Sequence, residues 1–420
     1  MATAREKRSI KLLGTSKQII CERTKWKGRS GFRLTSDRLD VCALSEGGAV
    51  AQLRLRSGAG PQVNALWEAP WRTLDPLRFR KKVHEKEYGQ EPVGKFLAGF
   101  TGHVLCLDYF GVPSEEEIAQ GLCLHGEASV SSWRTTRCST SSAQAAFAQE
   151  VKLTCAGLRF RRELSLRGKE CVVFFSESVR NPHPIDHFFH WTQHVTFGPP
   201  FLAQEDSTVF VPGTRAITYP HGYEGKSLVK NSQEFTWPSA PAVEGGTADL
   251  SRPFATRGTG FVAGVLLNAS SQIGYFAVSN AKFGLVQGYV FPRAIFPWVT
   301  IWEENLARTG PPWNGRTQAR GIEFGTTPLP LGKWETFRQG PLFGVPTFCR
   351  IPASSDIRAN YAAFLCPVNG NCQPIRDIRV EDHALVIESE SGNSVSLPAR
   401  DIRAKLAPSL GNSNPGAEGR

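Results

Sequence analysis

The chain has 420 residues, 40% of them apolar, and its 49 Lys and Arg against 38 Asp and Glu give a net charge of +11. This balance excludes an intrinsically disordered chain, and the absence of any run of about 18 apolar residues excludes a membrane-spanning helix. With 40 Gly, 28 Pro, 26 Phe and 10 Trp but a single Met, the composition favours many short strands joined by turns over a helical bundle.

The first segment, residues 1–30, is basic and polar. Residues 1–82 contain 18 basic and 7 acidic side chains, a surplus that attracts polyanions. The aromatic residues Trp26 and Phe32 do not alternate with the basic residues, as they would in a surface that stacks nucleic-acid bases. The start of the chain is also too polar for a secretory leader. We therefore expect a cytoplasmic protein with no nucleic-acid partner, no membrane partner and a loosely structured N-terminal segment.

From residue 31 onward the pattern is typical of β-strands. Residues 39–44 and 49–56 flank a Gly47-Gly48 turn and predict a hairpin, and residues 157–166 and 171–179 predict a second hairpin around residues 167–169. Pro113-Ser114 followed by Glu117 predicts a helix start with a capping box. Further strands are predicted at residues 31–34, 261–267, 273–278, 284–291, 361–366 and 384–389.

Many strands at short intervals, with no alternation of strands and long helices, predict an all-β fold of stacked antiparallel sheets. We expect residues 31–408 to form a single domain and residues 409–420 to form a flexible tail. Ten scattered cysteines without a Cys-x-x-Cys pair predict that most of them are buried thiols and that there is no zinc site.

Four segments combine histidine or carboxylate with aromatics and glycine, and predict a pocket. They are residues 64–71, with Trp67 and Trp71; 122–133, with His125; 187–200, with His194; and 298–325, with Trp302 and Glu323. Flat apolar walls suit the C–H faces of a sugar ring, while a few polar groups hold its hydroxyls. One acid and one base on opposite sides of a sugar would open its ring without a metal or cofactor.

Two other chemistries stay open at this stage. His187, His190 and His194 would share one face of a helix and form a metal site, but their aromatic neighbours favour a strand, on which His187 points the other way. A pair of carboxylates would permit glycoside cleavage. Glu303 and Glu304 are adjacent, so only one of them faces a given side of a strand.

Three motifs resemble those of aldose 1-epimerases, the galactose mutarotase-like superfamily. Leu124-His125-Gly126, the run from Thr192 to Phe197 (Thr-Gln-His-Val-Thr-Phe) and Gly321-Ile322-Glu323 occur in the order and rough separation of that family. The resemblance covers about Gly31 to Pro330. It implies a β-supersandwich of two large antiparallel sheets with a sugar-binding cleft, and an enzyme that interconverts the anomers of a sugar.

The resemblance also implies roles for individual residues. His194 matches the general acid at the ring oxygen, Glu323 the general base at the anomeric hydroxyl, and His125 the histidine that orients the substrate. The family's asparagine–arginine segment has no clear match near residues 64–80, where Arg72 is an unaligned substitute.

The expected partner is a small-molecule carbohydrate, and we expect it to contact Trp67, Trp71, Arg72, Gln193, Trp302 and Arg320. Arginines such as Arg308 and Arg320 add the refinement of a phosphorylated sugar. A non-catalytic carbohydrate-binding protein is the alternative, and the sequence leaves the oligomeric state open.

Overall fold

The computed structural model describes residues 19–368 and 374–407. Its first strand begins at Ile20, before the predicted start of the domain at residue 31, because this segment pairs with the next strand from Ile20 to Trp26. The rest of the predicted N-terminal segment, residues 1–18, and the predicted tail, residues 409–420, lie outside the described residues.

The first thirteen strands, in chain order, are β1 (Ile20–Trp26), β2 (Arg29–Thr35), β3 (Leu39–Leu44), β4 (Val50–Leu55), β5 (His103–Cys106), β6 (Arg134–Thr140), β7 (Gln144–Leu153), β8 (Leu158–Arg167), β9 (Val172–Arg180), β10 (His187–Phe189), β11 (Thr192–Phe197), β12 (Ser207–Phe210) and β13 (Gly213–Thr218). The others are β14 (Lys226–Ser227), β15 (Glu234–Thr236), β16 (Ser239–Pro241), β17 (Thr247–Asp249), β18 (Thr259–Leu267), β19 (Ile273–Asn280), β20 (Leu285–Pro292), β21 (Trp298–Asn305), β22 (Gln318–Gly325), β23 (Cys349–Ile351), β24 (Asp356–Pro367), β25 (Ile375–Val380), β26 (Ala384–Ser389) and β27 (Ser394–Pro398). The helices are α1 (Lys81–Tyr88), α2 (Val93–Gly99), α3 (Glu115–Ala119), α4 (Lys333–Gln339) and α5 (Ile402–Leu406).

Two large sheets dominate the fold. A twelve-stranded sheet has the order β1-β2-β3-β4-β5-β11-β22-β21-β18-β13-β15, with β14 added beside β18, and an eight-stranded sheet has the order β12-β19-β20-β24-β9-β8-β7-β6. Neighbouring strands are antiparallel, except that β14 runs parallel to β18. The predicted hairpins β3–β4 and β8–β9 are present, and the predicted all-β architecture of stacked antiparallel sheets is confirmed.

The main core lies between the two large sheets. In β8, Leu158, Phe160 and Leu164 are buried while the intervening Arg159 and Arg161 are exposed, which is the alternation that places one face of a strand against a core. Each such side chain contributes about 1.5–3 kcal/mol when it is fully buried. The period-two pattern in the sequence therefore fixes which face of each strand points inward.

A third layer covers the outer face of the eight-stranded sheet. The small sheet β25-β26-β27 and helix α5 bury a second apolar cluster against it, which includes Phe174, Tyr275, Ile387 and Leu406. The residues before the predicted tail thus belong to the folded body.

The opposite face of the twelve-stranded sheet carries α2 and several loops, which bury a third cluster that includes Phe96, Phe100 and Trp302. The predicted capping box of α3 is present, with the Ser114 side chain accepting from the Glu117 amide. Helices α1 and α2 were not predicted, because α1 has one buried side chain and α2 is only two turns long. Among the described residues, no helix has the length and apolar character needed to cross a bilayer.

Candidate active site

A cavity of about 320 Å³ lies on the face of the twelve-stranded sheet that points away from the main core. Three adjacent strands, β11, β22 and β21, form its floor. His194 is the cross-strand partner of Glu323, and Glu323 is in turn the partner of Thr300. Residues in register on antiparallel strands point to the same face. The pairing therefore brings these three side chains together beneath the cavity.

His194 and Glu323 contact each other directly on this floor. The His194 Nε2 atom lies 3.2 Å from the Glu323 Oε1 atom, and both side chains are almost completely buried. The other ring nitrogen of His194, Nδ1, lies 3.1 Å from the hydroxyl of Thr196. The carboxyl group and the imidazole therefore form a hydrogen-bonded chain that ends at Thr196.

His125 approaches the same cavity from a tight turn between α3 and β6. Its φ angle is +63°, in the left-handed region that few non-glycine residues adopt. Its Nδ1 atom accepts a hydrogen bond from the Gly111 amide at 3.1 Å, so the proton of the neutral ring is on Nε2. The ring stacks on Phe110 and lies 5.5 Å from the His194 ring, centre to centre.

Burial sets the protonation of this cluster. It lowers the pKa of His194 to about 3, and it lowers the pKa of His125 well below the usual range, with further contributions from His194 and Arg308. It also raises the pKa of Glu323 well above the usual range, because charged forms are disfavoured away from water. Burial therefore favours a protonated carboxylic acid at Glu323 beside two neutral imidazoles.

One oxygen of the Glu323 carboxyl group is available for a ligand. Oε2 is buried and has no hydrogen-bond partner among the described residues. A buried polar atom without a partner is costly, by about 1–3 kcal/mol, and such atoms in a cavity floor are typical of groups that bind or react with a ligand.

The walls are mostly aromatic. Trp302 packs against the His194 ring at 5.9 Å, and Phe100 packs against it at 5.2 Å. The Arg308 guanidinium lies over the rings of Tyr223, Trp302 and Trp313. The lining residues are Val93, Phe96, Leu97, Phe100, Phe110, Gly111, Val112, Leu124, His125, His194, Tyr219, Gly222, Tyr223, Glu224, Val262, Thr300, Trp302, Arg308, Trp313, Glu323 and Pro330.

Four of the residues predicted to catalyse the reaction or contact the sugar therefore line one cavity: His125, His194, Trp302 and Glu323. Arg308, predicted for a phosphorylated sugar, lines it too. The acid and the base were expected on opposite sides of a sugar, and that expectation is wrong. His194 and Glu323 lie side by side on neighbouring strands because their backbones are in register.

The predicted tryptophan pair lies behind the wall instead of in it. Trp67 is 2% exposed, donates its indole N–H to the Gln318 carbonyl and packs against Phe100. Trp71 packs edge-on against Trp313. Both are thus positioned to support the rings that line the cavity, and the prediction that they contact the ligand does not fit their positions.

Gln193 and Arg320 lie on the other face of the sheet, inside the main core. The Gln193 side chain contacts His103 and donates to Glu177, and Arg320 donates to the Glu303 carboxylate. Each is an odd number of residues from His194 or Glu323 on its strand, so its side chain points to the opposite face. Arg72 is exposed and lines a separate shallow groove. None of these three fits the predicted contact with substrate.

Glu303 and Glu304, the carboxylates that could support glycoside cleavage, both have partners within the fold. Glu303 faces the main core, where Arg320 pairs with it. Glu304 points to the other face and accepts hydrogen bonds from the Tyr223 hydroxyl and the Arg308 amide. The described part of the chain contains no group of three or more His, Cys, Asp or Glu side chains placed to hold a metal ion.

Sequence reasoning missed two parts of the wall. Phe96 and Leu97 come from α2, and Tyr219 and Tyr223 come from the loop after β13. The two tyrosines flank His221, and Glu224 follows the second of them. This stretch therefore combines histidine, carboxylate, aromatics and glycine as the four predicted segments do, and that combination was the signal that could have found it.

No protein-family model and no curated protein sequence matches the chain. Solved structures do match. One is a provisionally named aldose 1-epimerase from Klebsiella pneumoniae, which is 15% identical and has a TM-score of 0.57 over 83% of this chain and 84% of its own. A galactose mutarotase-like protein from Clostridium acetobutylicum is 12% identical, with a TM-score of 0.55 over 84% of this chain and 100% of its own.

A provisionally named mutarotase from Salmonella typhimurium is 11% identical, with a TM-score of 0.53 over 83% of this chain and 94% of its own. The chain has the galactose mutarotase-like fold. At these identities the likeness concerns the fold alone, so the chemistry of the cavity must be argued from its own residues.

Proposed function

We propose that the cavity catalyses the interconversion of sugar anomers by opening and closing the sugar ring. The observation that carries this proposal is the contact between His194 and Glu323, which places two proton-transfer groups side by side at the floor of an aromatic-walled cavity. The cavity volume of about 320 Å³ falls within the range of small-molecule sites.

The side-by-side arrangement suits the atoms that react. The anomeric hydroxyl oxygen and the ring oxygen of an aldose are bonded to the same carbon, so an acid and a base that serve them must also be neighbours. Removal of the hydroxyl proton and protonation of the ring oxygen break the bond between the anomeric carbon and the ring oxygen. The resulting aldehyde rotates about its C1–C2 bond, and the ring closes on its other face with the reverse proton transfers.

The pair holds one exchangeable proton, which is what this reaction requires. Burial raises the pKa of the carboxyl group and lowers that of His194, and so favours the form with that proton on Glu323. A shift of the proton across the 3.2 Å contact produces a carboxylate and an imidazolium, and a polar ligand stabilises this charged form. Glu323 then acts as the base at the anomeric hydroxyl and His194 as the acid at the ring oxygen.

His125 and the aromatic walls complete the proposed site. With its Nδ1 occupied by the Gly111 amide, His125 has an Nε2–H to donate to a sugar oxygen. Trp302 offers a flat face against C–H groups, and Arg308, which also lines the cavity, supplies hydrogen-bond donors. The substrate is a free aldose or an aldose derivative.

Exchange NMR tests the proposal directly. The purified chain is added to a panel of free aldoses, and to aldose phosphates, at anomeric equilibrium, and the rate of anomer exchange is compared with buffer. We expect at least one sugar to exchange faster than buffer. His194→Ala should then reduce that rate by about 10²–10⁴-fold with the fold intact by circular dichroism.

Two outcomes would contradict the proposal. If the chain binds a sugar of the panel without accelerating its exchange, the cavity is a binding site and not an active site. If His194→Ala retains the full rate, the catalysis belongs to other residues.

A further inference from the structure

A pair of cysteines lies at the open edge of the β-sandwich, far from the cavity floor along the sheet. Cys21 belongs to β1, the edge strand of the twelve-stranded sheet, and Cys138 belongs to β6, the edge strand of the eight-stranded sheet. These two edge strands pack against each other, and the Cys21 amide donates to the Thr140 hydroxyl across the gap at 2.9 Å.

Strand register shows that both thiols point toward the space between the sheets. Cys21 is the cross-strand partner of Leu34, and Cys138 is the partner of Phe147. Leu34 and Phe147 belong to the main core, and partners in register share a face. Thr140, whose hydroxyl accepts from the Cys21 amide, lies two residues after Cys138 in β6, and residues two apart on a strand share a face.

We propose that Cys21 and Cys138 form a redox-controlled disulfide that joins the two sheets at this edge. The two residues are free thiols here, and a bond between them would cross-link strands that are distant in sequence. Such a cross-link stabilises a fold chiefly by restricting the unfolded chain, and more so for longer loops. This inference does not depend on the proposed function.

The oxidant is a low-molecular-weight disulfide such as glutathione disulfide. Cys138 is exposed and starts the exchange, while burial and the neighbouring Cys138 thiol raise the pKa of Cys21 and keep it protonated. The Cys138 thiolate attacks one sulfur of glutathione disulfide, which releases one glutathione thiolate and leaves a mixed disulfide. Cys21 passes its proton to the released glutathione thiolate and attacks the Cys138 sulfur. The Cys21–Cys138 bond forms as the bond between Cys138 and glutathione breaks, the second glutathione leaves as a thiolate that takes up a proton from water, and two electrons have then passed to the oxidant.

Peptide mapping of the full chain tests this proposal. The chain is incubated with glutathione disulfide, its remaining thiols are alkylated, and it is digested with trypsin without reduction. Trypsin releases residues 18–23 and 138–152 as peptides with one cysteine each. We expect these two peptides to appear linked, and the Tm of the oxidised chain to exceed that of the reduced chain by several degrees.

Three variants serve as controls. Cys21→Ser and Cys138→Ser should each abolish the linked peptide and the Tm shift, and Cys138→Ser changes an exposed side chain, so its folding is not at risk. Cys155→Ser removes another exposed thiol and should leave both signals unchanged. A stable glutathione adduct on Cys138 without the link, or a link from either residue to a different cysteine, would overturn the proposal.

Discussion

Glu303 and Glu323 lie on neighbouring strands of the same sheet, and both are buried, but they face opposite sides of that sheet. Glu303 points into the main core, where Arg320 Nη2 lies 2.6 Å from its carboxylate and the Phe254 amide donates to it at 2.8 Å. Glu323 points into the cavity, where its neighbour is the His194 imidazole. Each carboxyl group keeps one oxygen without a partner among the described residues, Oε1 of Glu303 and Oε2 of Glu323, so what differs is the charged partner and the cavity.

The comparison separates a structural carboxylate from a chemically poised one. In the core, Arg320 offsets the cost of burying a charge, and Glu303 serves to hold β21 to β22. Burial raises the pKa of both carboxyl groups, but Arg320 and the Phe254 amide counteract this effect at Glu303, whereas nothing counteracts it at Glu323. A carboxyl group with such a raised pKa in a cavity floor is typical of functional sites.

Matched substitutions should show the largest difference in catalysis. Glu323→Gln keeps the shape of the side chain but removes the exchangeable proton, so we expect anomer exchange to fall by about 10²–10⁴-fold. Glu303→Gln makes the same chemical change on the other face and should leave the rate per folded molecule unchanged. Exchange NMR on a sugar that the wild type accelerates measures both. If both variants lost the same fraction of the exchange rate, the position of Glu323 in the cavity would give it no special role in catalysis.

Stability should respond in the opposite sense. Glu303→Gln leaves Arg320 buried without its counter-charge, which costs about 3–5 kcal/mol of unfolding free energy. Urea unfolding at neutral pH measures this loss. The double variant Glu303→Leu/Arg320→Met removes both charges and should recover most of it. If Glu303→Gln alone unfolds like the wild type, the buried ion pair does not hold the strands together.

Glu323→Gln should instead make the stability of the protein less sensitive to a rise in pH. The pKa of Glu323 is raised in the folded state. The contribution of its proton to the unfolding free energy is therefore fully present below the unfolded pKa of about 4.3, and it is lost as the pH rises through the folded pKa. Gln has no proton to lose. Urea titrations at pH 5 and pH 8 should show the wild type losing more stability between these values than Glu323→Gln does.

The pH dependence of catalysis gives a further distinction between the proposed pair and ordinary side chains. Burial lowers the pKa of His194 to about 3, so the rate should stay level as the pH falls through about 6.5, where an exposed histidine titrates. On the alkaline side, the rate should fall when the pair loses its proton from Glu323. A plot of kcat/KM against pH measures the acidic and the alkaline side of the profile. The apparent pKa values that it gives belong to the His194–Glu323 pair as a unit. A fall centred near pH 6.5 would contradict the buried arrangement.

Much of this arrangement follows from the sequence. Turn residues and period-two alternation predicted the hairpins β3–β4 and β8–β9, since those features act over a few residues. The same alternation separates Glu303 from Glu304. Applied to Gln193 beside His194, and to Arg320 three residues before Glu323, it places both in the core. Gln193 and Arg320 were wrongly assigned to the sugar site because all residues of a motif were assumed to share one surface, whereas neighbouring residues of a strand point to opposite faces of the sheet.

The rest depends on contacts that no local pattern encodes. The register between β11 and β22 puts His194 opposite Glu323, and these strands are separated by more than a hundred residues of chain. The wall from α2 depends on where a short helix docks on the sheet. The depth at which Trp67 is buried likewise depends on Phe100 and Gln318, which the sequence cannot place against it.

The smallest expected effect concerns the hydroxyl behind the pair. With the Glu323 proton directed at His194 Nε2, the imidazole N–H is on Nδ1 and donates to the Thr196 hydroxyl, 3.1 Å away. Thr196→Val removes that acceptor, and a hydrogen bond worth about 0.5–1.5 kcal/mol corresponds to a rate loss of about 2–10-fold. Thr192→Val makes the same change on the same face of β11, where the hydroxyl has no partner among the described residues, and should leave the rate unchanged. Because Thr196 acts only through the tautomer of His194, its loss should lower kcat and leave KM nearly constant; a change in KM alone would place Thr196 in substrate binding.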